Sequence, residues 1–275
     1  MNFIPRPIRV LTLVAGIALI GATAATPASA SVDTTPPTIS TDPHPHYVVD
    51  SQLGTSYDGS DLMDWQASYS LDWKASDASG ICAQTLTEQS YDMMGGEEDP
   101  LLGWQTGTYT LSNTERSHKY FVDAFDQNRV PYRFVLRVTD CAGNVATSPI
   151  ITSYFDIKED SATGITYQGT WAASSCSCFS GGTTHYTKAV NSSASVRVQG
   201  SHPIALVMEK APNRGAAAVY VDGVLKATIN TYSATTRHSV IVWQTELAGT
   251  ALHTLKVVNK ATAGHPRMDI DAILL

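Results

Sequence analysis

Apolar and polar residues alternate in short runs along most of the chain, a pattern typical of half-buried β-strands rather than helices. The clearest run is AAVYVDGVLKATI, residues 217–229, in which two apolar segments meet at Asp222 and Gly223. Asp-Gly favours a two-residue type I′ turn, because both central positions of that turn need a positive φ. We therefore predict a β-hairpin here, with Val219 and Val221 sharing one face of its first strand.

The same alternation predicts further strands on both sides of this hairpin. Upstream, two segments each place four apolar side chains on one face: Tyr69, Leu71, Trp73 and Ala75, and then Tyr132, Phe134, Leu136 and Val138. Shorter strands are expected at residues 82–90, 107–111, 120–124 and 145–152, and downstream at residues 194–198, 204–209, 239–243, 253–258 and 268–274. Long amphipathic helical patterns are missing, so the chain is predicted to be all-β.

The first 30 residues have the parts of a secretory signal peptide. Arg6 and Arg9 precede an apolar run at residues 10–20, and Ala28-Ser-Ala30 provides a cleavage site. The run is shorter than the roughly 18 to 20 residues that span a bilayer, which disfavours a membrane anchor. We therefore expect cleavage after Ala30 and a secreted protein that does not insert into a membrane.

Charge and length narrow the class of protein further. Without the signal peptide, 16 Lys and Arg face 25 Asp and Glu, a formal net charge of −9. This acidic balance argues against nucleic acid as a partner, since nucleic-acid binding favours basic patches. About 245 mature residues suffice for two β-sandwich domains. We predict one domain at residues 31–153 and a second at residues 154–275.

Four cysteines follow the predicted signal peptide, namely Cys82, Cys141, Cys176 and Cys178. In an exported chain they are expected to form disulfides rather than to stay as free thiols. Three pairings are possible for four cysteines. We favour Cys82–Cys141 and Cys176–Cys178, because each bridge then closes within one predicted domain.

Two motifs in the first domain resemble those of bacterial extracellular immunoglobulin-like and fibronectin-like modules. DTTPPTI, residues 33–39, resembles their opening Pro-Pro-x-Ile strand, and TDCAGN, residues 139–144, resembles their closing Asp-x-Ala-Gly-Asn turn. The resemblance implies a Greek-key sandwich of about seven strands. The chain departs from it in an insertion at residues 92–103. We interpret the acidic residues of that insertion as a solvated loop rather than a calcium site: Asp92, Glu97, Glu98 and Asp99.

A series of motifs in residues 154–275 resembles a galactose-binding-like β-sandwich. In chain order these motifs are YQGTW, GGTTHY, VYVDG, HTLKV and IDAI. Such domains are common in secreted actinobacterial proteins, and the series is more distantly similar to calcium-bearing carbohydrate-binding modules of the family 6 and 35 type. The predicted fold is therefore an immunoglobulin-like Greek-key sandwich followed by a galactose-binding-like jelly roll. The resemblance alone does not specify a ligand, because one fold hosts many functions.

Aromatic side chains near strand ends are the candidates for a ligand site. Sugars are usually held by an aromatic platform and planar polar groups, since a pyranose ring has an apolar face and a rim of hydroxyls. The carbohydrate-binding candidates are Trp171, His185, Tyr186, Tyr232 and Arg237. Trp243 lies within an apolar strand and is instead predicted to pack in the core.

In the related calcium-bearing modules, a structural ion bridges the first and last strands. The corresponding acidic residues here would be Asp156, Glu159, Asp269 and Asp271. The last two are two residues apart in a predicted strand, so they would face the same side. A structural calcium ion is therefore one expectation, ordinary surface acids are the alternative, and no other cofactor is expected.

The sequence lacks the common catalytic motifs. It contains no Gly-x-Ser-x-Gly, His-Glu-x-x-His, phosphate loop or Gly-x-Gly-x-x-Gly. The leading hypothesis is a secreted, non-catalytic protein that binds a polysaccharide or cell-surface glycan through its C-terminal domain. The alternative is a structural or adhesive protein that makes protein–protein contacts through both sandwiches.

Overall fold

The structure, a computed structural model, describes residues 32–56, 64–92, 103–124, 130–200 and 203–275. The predicted signal peptide and residues 93–102 of the acidic insertion lie outside these residues. No helix in the described part of the chain is long and apolar enough to cross a membrane. The described residues form 21 strands and one short 3-10 helix, which confirms the all-β prediction.

Nine strands form the first half of the molecule: β1 (Thr38–Tyr47), β2 (Gly54–Ser56), β3 (Asp64–Ser76), β4 (Ile81–Asp92), β5 (Gly103–Leu111), β6 (Ser117–Ala124), β7 (Val130–Asp140), β8 (Val145–Thr147) and β9 (Ile151–Phe155). Their order in one sheet is β1-β3-β2, with β6 also paired to β3. Their order in the other sheet is β5-β4-β7-β8, with β9 also paired to β7.

Twelve strands form the second half: β10 (Ile157–Glu159), β11 (Thr166–Gln168), β12 (Ala172–Ser175), β13 (Thr183–Thr187), β14 (Ser193–Gln199), β15 (Pro203–Lys210), β16 (Ala216–Val221), β17 (Val224–Asn230), β18 (Arg237–Glu246), β19 (Leu252–Asn259), β20 (Met268–Ile270) and β21 (Ala272–Leu274). The 3-10 helix Ser180–Gly182 lies between β12 and β13. Three sheets result, in the orders β10-β21-β15-β18, β11-β14-β19-β16-β17 and β12-β13-β20.

The faces predicted from alternation are the faces that the sheets bury. The buried apolar residues include Tyr69, Leu71, Trp73 and Ala75 on β3, and they are Tyr132, Phe134, Leu136 and Val138 on β7. These two strands belong to opposite sheets, and their side chains meet in one hydrophobic cluster. The first half is therefore a β-sandwich, because each sheet hides its apolar face against the other.

The second half also closes around a cluster built from facing sheets. Val219 of β16 and Val257 of β19 come from the five-stranded sheet, and Leu206 of β15 comes from the four-stranded sheet. The predicted hairpin connects β16 to β17, with φ of 52° at Asp222 and 77° at Gly223. Both predicted disulfides, Cys82–Cys141 and Cys176–Cys178, are present.

Two predicted strands are each interrupted in the structure. The segment predicted at residues 145–152 divides into β8 and β9 around Pro149, which has no N–H to donate to a ladder. The segment predicted at residues 268–274 divides into β20 and β21 at Asp271. The backbone N–H of Asp271 donates instead to the carbonyl of Val207 at 3.0 Å.

A hydrophobic cluster runs across the predicted domain boundary near residue 154. It joins first-half residues such as Tyr69 to Ile157, Val207 and Ile241 of the second half. Residues from Thr34 to Leu275 form one compact unit. Whether residues 31–153 and 154–275 fold independently stays a prediction.

Backbone hydrogen bonds also tie the first half to the second. The segment after β1 runs beside β18, where Asp50 N donates to Ile241 O at 2.8 Å and Ile241 N donates to Ser51 O at 2.9 Å. Leu53 N donates to Ser239 O at 2.8 Å. The first half thus supplies a short extended segment that covers β18 between Ser239 and Ile241.

Candidate functional site

A sharp turn before β12 positions the first candidate aromatic residue, Trp171. Gly169 has a φ of 91°, and a Cβ at this position would lie 2.4 Å from the hydroxyl oxygen of Ser192. Only glycine satisfies both the positive φ and this close approach. The turn brings the Trp171 ring to 4.8 Å from the ring of Tyr167, and Trp171 Nε1 donates to Gln168 O at 3.0 Å.

Tyr167 links this tryptophan to the second candidate, His185. The Tyr167 and His185 rings stack with centroids 4.6 Å apart and an interplanar angle of 18°. His185 Nδ1 lies 2.5 Å from the Oδ2 of Asp160, a fully buried carboxylate. The hydroxyl of Thr183 donates to the other oxygen of Asp160 at 2.7 Å. The imidazole is therefore held in one orientation by a stacked ring and a buried acid.

A surface cavity of about 470 Å³ opens beside these rings. Its lining comprises Thr170, Trp171, Ala172, Tyr186, Thr187, Lys188 and Ala189. Two aromatic rings, two threonines and one cation therefore face the same space. The structure brings together three of the five predicted carbohydrate-binding residues, with Trp171 and Tyr186 on the cavity wall and His185 stacked on Tyr167 behind them.

Tyr186 is supported by a network of buried charges. The Arg267 guanidinium lies over its ring, 3.9 Å from the centroid, and Arg267 Nε donates to Asp269 Oδ1 at 2.8 Å. Arg214 Nε donates to Asp269 Oδ2 at 2.6 Å, and Arg214 Nη2 lies 2.9 Å from Glu209 Oε2. A carboxylate held by two guanidiniums anchors the arginine that covers one face of Tyr186.

The other two predicted carbohydrate-binding residues lie elsewhere. Tyr232 is exposed and packs edge-on against His265, with centroids 4.8 Å apart. Arg237 Nη1 donates to Asp50 Oδ1 at 2.8 Å, so its guanidinium joins the two halves of the chain. Neither residue lines the cavity. Trp243 is partly buried and packs against the second-half core, as predicted.

The four predicted calcium ligands are not brought together as a set. Asp269 pairs with the two arginines described above. Asp156 exchanges backbone hydrogen bonds with Leu275, at 3.0 and 2.9 Å, and its charge adds to burial in raising the pKa of Tyr47. Asp269 and Asp271 do not share a strand face, because Asp271 separates β20 from β21.

Glu159 and Asp271 do meet, and the loop after Cys178 covers them. Ser180 Oγ donates to Glu159 Oε1 at 2.8 Å, and Ser180 N donates to Asp271 Oδ1 at 3.1 Å. Burial, with the neighbouring charges of Glu159 and Asp160, raises the pKa of Asp271 to about 8. The Ser239 hydroxyl and the Ser180 N–H, which favour the ionised form of Asp271, offset this rise only in part.

Calcium takes six to eight oxygen ligands, and the structure offers only part of such a set here. Asp160 already accepts hydrogen bonds on both oxygens. Glu159 and Asp271 are thus the pair that would hold a cation in the second half, and the calcium ion stays a prediction.

Sequence reasoning missed several residues that shape the site. Tyr167 stands inside the YQGTW motif and could have been recognised as the ring between Trp171 and His185. Asp160 follows the predicted ligand Glu159, but its partner His185 is 25 residues away. Arg267 carries no local signal, because its role depends on Tyr186 across the β13–β20 pairing.

No protein-family model matches the chain, and no curated protein matches it. Solved structures show partial similarity. A family 35 carbohydrate-binding module from Clostridium thermocellum is 15% identical, covers 42% of this chain and 95% of the module, and has a TM-score of 0.34. An exo-beta-1,3-galactanase from Phanerochaete chrysosporium, solved with galactose, is 11% identical over 82% of this chain and 68% of that chain, with a TM-score of 0.34.

A third similar structure is the catalytic domain of a GH87 alpha-1,3-glucanase in complex with nigerose. It is 17% identical and covers 44% of this chain, with a TM-score of 0.32. The matched part spans 27% of the glucanase chain, about a quarter of its length. At these TM-scores the similarities identify neither a family nor a ligand for this chain.

Proposed function

We propose that this protein is a secreted, non-catalytic binding protein that recognises carbohydrate at the cavity beside Trp171 and Tyr186. The observation that carries the proposal is the composition of that cavity, in which two aromatic rings face the same space as two threonines and one lysine. Aromatic faces pack against the apolar face of a sugar ring, and hydroxyl and ammonium groups hydrogen-bond to its rim.

The supporting contacts favour a site that is formed before the ligand arrives. Tyr167 holds Trp171, and Arg267 holds Tyr186, each through ring contacts below 5 Å. A side chain that is already ordered loses little entropy when the ligand binds. A preformed site of this kind suits recognition of a rigid sugar ring better than it suits a protein interface that must adapt to its partner.

The cavity lining also supports a non-catalytic role. Most glycoside hydrolases need a pair of carboxyl groups on either side of the scissile bond. Among the residues that the structure describes, those that line the cavity include no aspartate and no glutamate. The nearby acid Asp160 is fully buried and accepts hydrogen bonds on both oxygens. Binding without bond cleavage is therefore the activity that we propose.

Export is part of the same proposal. Both disulfides, Cys82–Cys141 and Cys176–Cys178, pair all four cysteines of the chain. Disulfides persist in oxidising compartments outside the cytosol. Intact-mass analysis of the exported protein should find Ser31 as the first residue and four hydrogens fewer than in the reduced chain. Four free thiols would contradict this part of the proposal.

Affinity electrophoresis through gels that contain a panel of polysaccharides tests the binding role. We expect at least one polysaccharide to retard the wild type, and Ala172→Trp to abolish the retardation by filling the cavity. The matched control is Ala173→Trp, because Ala173 is equally exposed on β12 but does not line the cavity. Tyr186→Ala should weaken retardation and Tyr232→Ala should leave it unchanged.

The outcomes separate the two functional hypotheses. If no polysaccharide retards the wild type, the carbohydrate proposal fails. Capture of a protein partner that sugars do not compete away would then favour the adhesive alternative. If Tyr232→Ala abolishes retardation while Ala172→Trp does not, carbohydrate binds elsewhere and the cavity assignment is wrong.

A further inference from the structure

Strand β5 forms one end of the five-stranded sheet in the first half, with β4 as its neighbour. Its pairing with β4 runs from Gly103 to Leu111 without a register shift. All six residues from Gln105 to Thr110 are exposed. A strand in this position presents a row of backbone N–H and C=O groups along its outer side.

Other long strands at sheet ends carry features that hinder the addition of another strand. Strand β1 contains Pro43 and Pro45 and has two register shifts against β3. Strand β6 carries the exposed Lys119, and β17 carries Lys226 and pairs across a register shift. Between Ser239 and Ile241 the outer edge of β18 is covered by the segment after β1. These are the usual means by which proteins protect sheet edges.

Strand β5 has none of these protections within its nine residues, GWQTGTYTL. The segment contains no proline and no charged residue. The chain as a whole carries a net charge of −7, so most pairs of surfaces on two copies would repel each other. This neutral edge can approach its own copy without that cost.

The sequence of the edge is also complementary to itself. In an antiparallel pair with a two-fold axis at Thr108, Thr106 of each copy lies opposite Thr110 of the other, and Gly107 lies opposite Tyr109. Threonine pairs are favourable across antiparallel strands. The Tyr109 ring lies over Gly107 of its own strand, packs against His118 and donates from its hydroxyl to Glu88. The complementarity of the edge therefore comes from Thr106, Thr108 and Thr110, each of which meets a threonine across the axis.

We propose that β5 is a self-association surface, and that two copies of this chain join edge to edge about Thr108 to form one continuous sheet. Such pairing adds hydrogen bonds along β5 and leaves the fold of each copy unchanged. The occupant of the edge is therefore a second copy of this chain rather than an unrelated peptide.

Single-cysteine crosslinking tests the predicted axis, and the chain has no free cysteine to interfere. In Thr108→Cys, the two new thiols face each other across the axis at a Cα separation of about 4.5 to 5.5 Å. In Thr106→Cys they lie about 14 Å apart along the strands, at 3.4 Å per residue. A short crosslinker should therefore join Thr108→Cys efficiently and Thr106→Cys poorly, while Thr106→Cys/Thr110→Cys should join well.

Sedimentation velocity over a range of concentrations tests the surface without crosslinking. The wild type should form a dimer, and Thr106→Lys/Thr108→Lys should raise the dimer dissociation constant by about tenfold or more, because charge then meets charge across the axis. The matched control is Thr228→Lys on the exposed edge strand β17, which should dimerise like the wild type. Melting curves of all variants verify that these exposed substitutions leave folding intact.

Several results would overturn the proposal. A wild type that stays monomeric up to high concentration would exclude self-association, and binding of an unrelated peptide by that monomer would assign the edge to another occupant. Equal crosslinking of Thr106→Cys and Thr108→Cys would indicate random collision. A lysine variant that dimerises as well as the wild type would place the interface on another surface.

Discussion

Among the described residues, those up to Phe155 at the end of β9 bury seven large aromatic side chains and one charged group, whereas those after it bury one aromatic side chain and six charged groups. The first set is Tyr47, Tyr69, Trp73, Tyr120, Tyr132, Phe134 and Phe155, with Asp140. The second set is Phe179, with Glu159, Asp160, Glu209, Arg214, Asp269 and Asp271. Two β-sandwiches of one chain thus have interiors of different chemistry.

The aromatic side chains have different positions in the two halves. In the first half the rings fill the core, as in the edge-to-face contact of Tyr69 with Phe155 at 4.5 Å. In the second half Trp171 and Tyr186 are only partly buried and line a cavity, and the partly buried Tyr167 packs against Trp171. In the second half, buried ion pairs and charged hydrogen bonds hold the strands in position. They can do so because hydrogen bonds to charged groups are directional, whereas apolar contacts are not.

The largest effect that we expect concerns the buried charge of the second half, at Asp271. Its pKa in the folded protein, about 8, is far above the ordinary value. The stability contributed by its neutral form is present in full below about pH 4 and is lost as the pH rises towards 8. The loss has an upper limit of about 1.4 kcal/mol per pH unit. Asp271→Asn should remove this slope, which urea unfolding at a series of pH values would measure.

Calcium provides the second arm of the same experiment. A calcium ion bound by Glu159 and Asp271 would keep Asp271 ionised, so millimolar calcium would cancel the loss above pH 6 and EDTA would restore it. Glu246→Gln, which changes an exposed carboxylate of β18, serves as the control. If the slope persists in Asp271→Asn, another group in the second half is responsible for it.

The next largest effect compares one ring from each half. Tyr69→Ala should lower the free energy of unfolding by about 3 to 5 kcal/mol, because it empties a fully buried position. Tyr186→Ala should cost about 1 kcal/mol or less, since that ring is partly exposed and loses mainly its contact with Arg267. Denaturant unfolding of both variants decides between core and surface roles. Similar losses in the two variants would remove the distinction between the halves.

The smallest effect concerns Asp140, the buried carboxylate of the first half. Burial opposes its ionisation, but hydrogen bonds from Asn144 and Ala142 outweigh burial and hold its pKa below the ordinary value. Its stabilising contribution is therefore present above about pH 4 and is lost as the pH falls further. Asp140→Asn should lower the free energy of unfolding at pH 7. It should also make that free energy depend less on pH below about pH 4, which urea unfolding at a series of pH values would measure. Asp140 thus makes the protein less stable as the pH falls, whereas Asp271 makes it less stable as the pH rises. If both substitutions changed the pH dependence of the unfolding free energy in the same direction, the comparison would be wrong.

Local sequence patterns predicted the elements that local chemistry controls. The Asp222-Gly223 turn has the two positive φ values that its residue types favour. The alternating faces of β3 and β7 are buried as predicted, because a strand turns successive side chains to opposite sides. Both favoured disulfides are present as well. Each of these features depends on neighbours in sequence or on a division into halves that the strand pattern already indicates.

Residues whose role depends on a distant partner were harder to assign. Arg237 was a candidate sugar ligand, but its guanidinium contacts Asp50, which is 187 residues away. Asp269 was a candidate calcium ligand, but Arg214 lies 55 residues before it in sequence and 2.6 Å from it in space. Residue type marked Arg237 as functional and a family resemblance marked Asp269, and neither can distinguish a ligand contact from an internal ion pair.

By itself the sequence determined the all-β class, the burial pattern of the long strands and the Asp-Gly hairpin, and it favoured one of the three possible pairings of the cysteines. Only the tertiary structure decided which aromatic residues surround the cavity, which acids meet, and that a cluster around Tyr69, Val207 and Ile241 spans both halves. The physical reason is the range of the interactions. Turn geometry and side-chain alternation act within a few residues, whereas rings, ion pairs and sheet edges gain their partners only when distant strands come together.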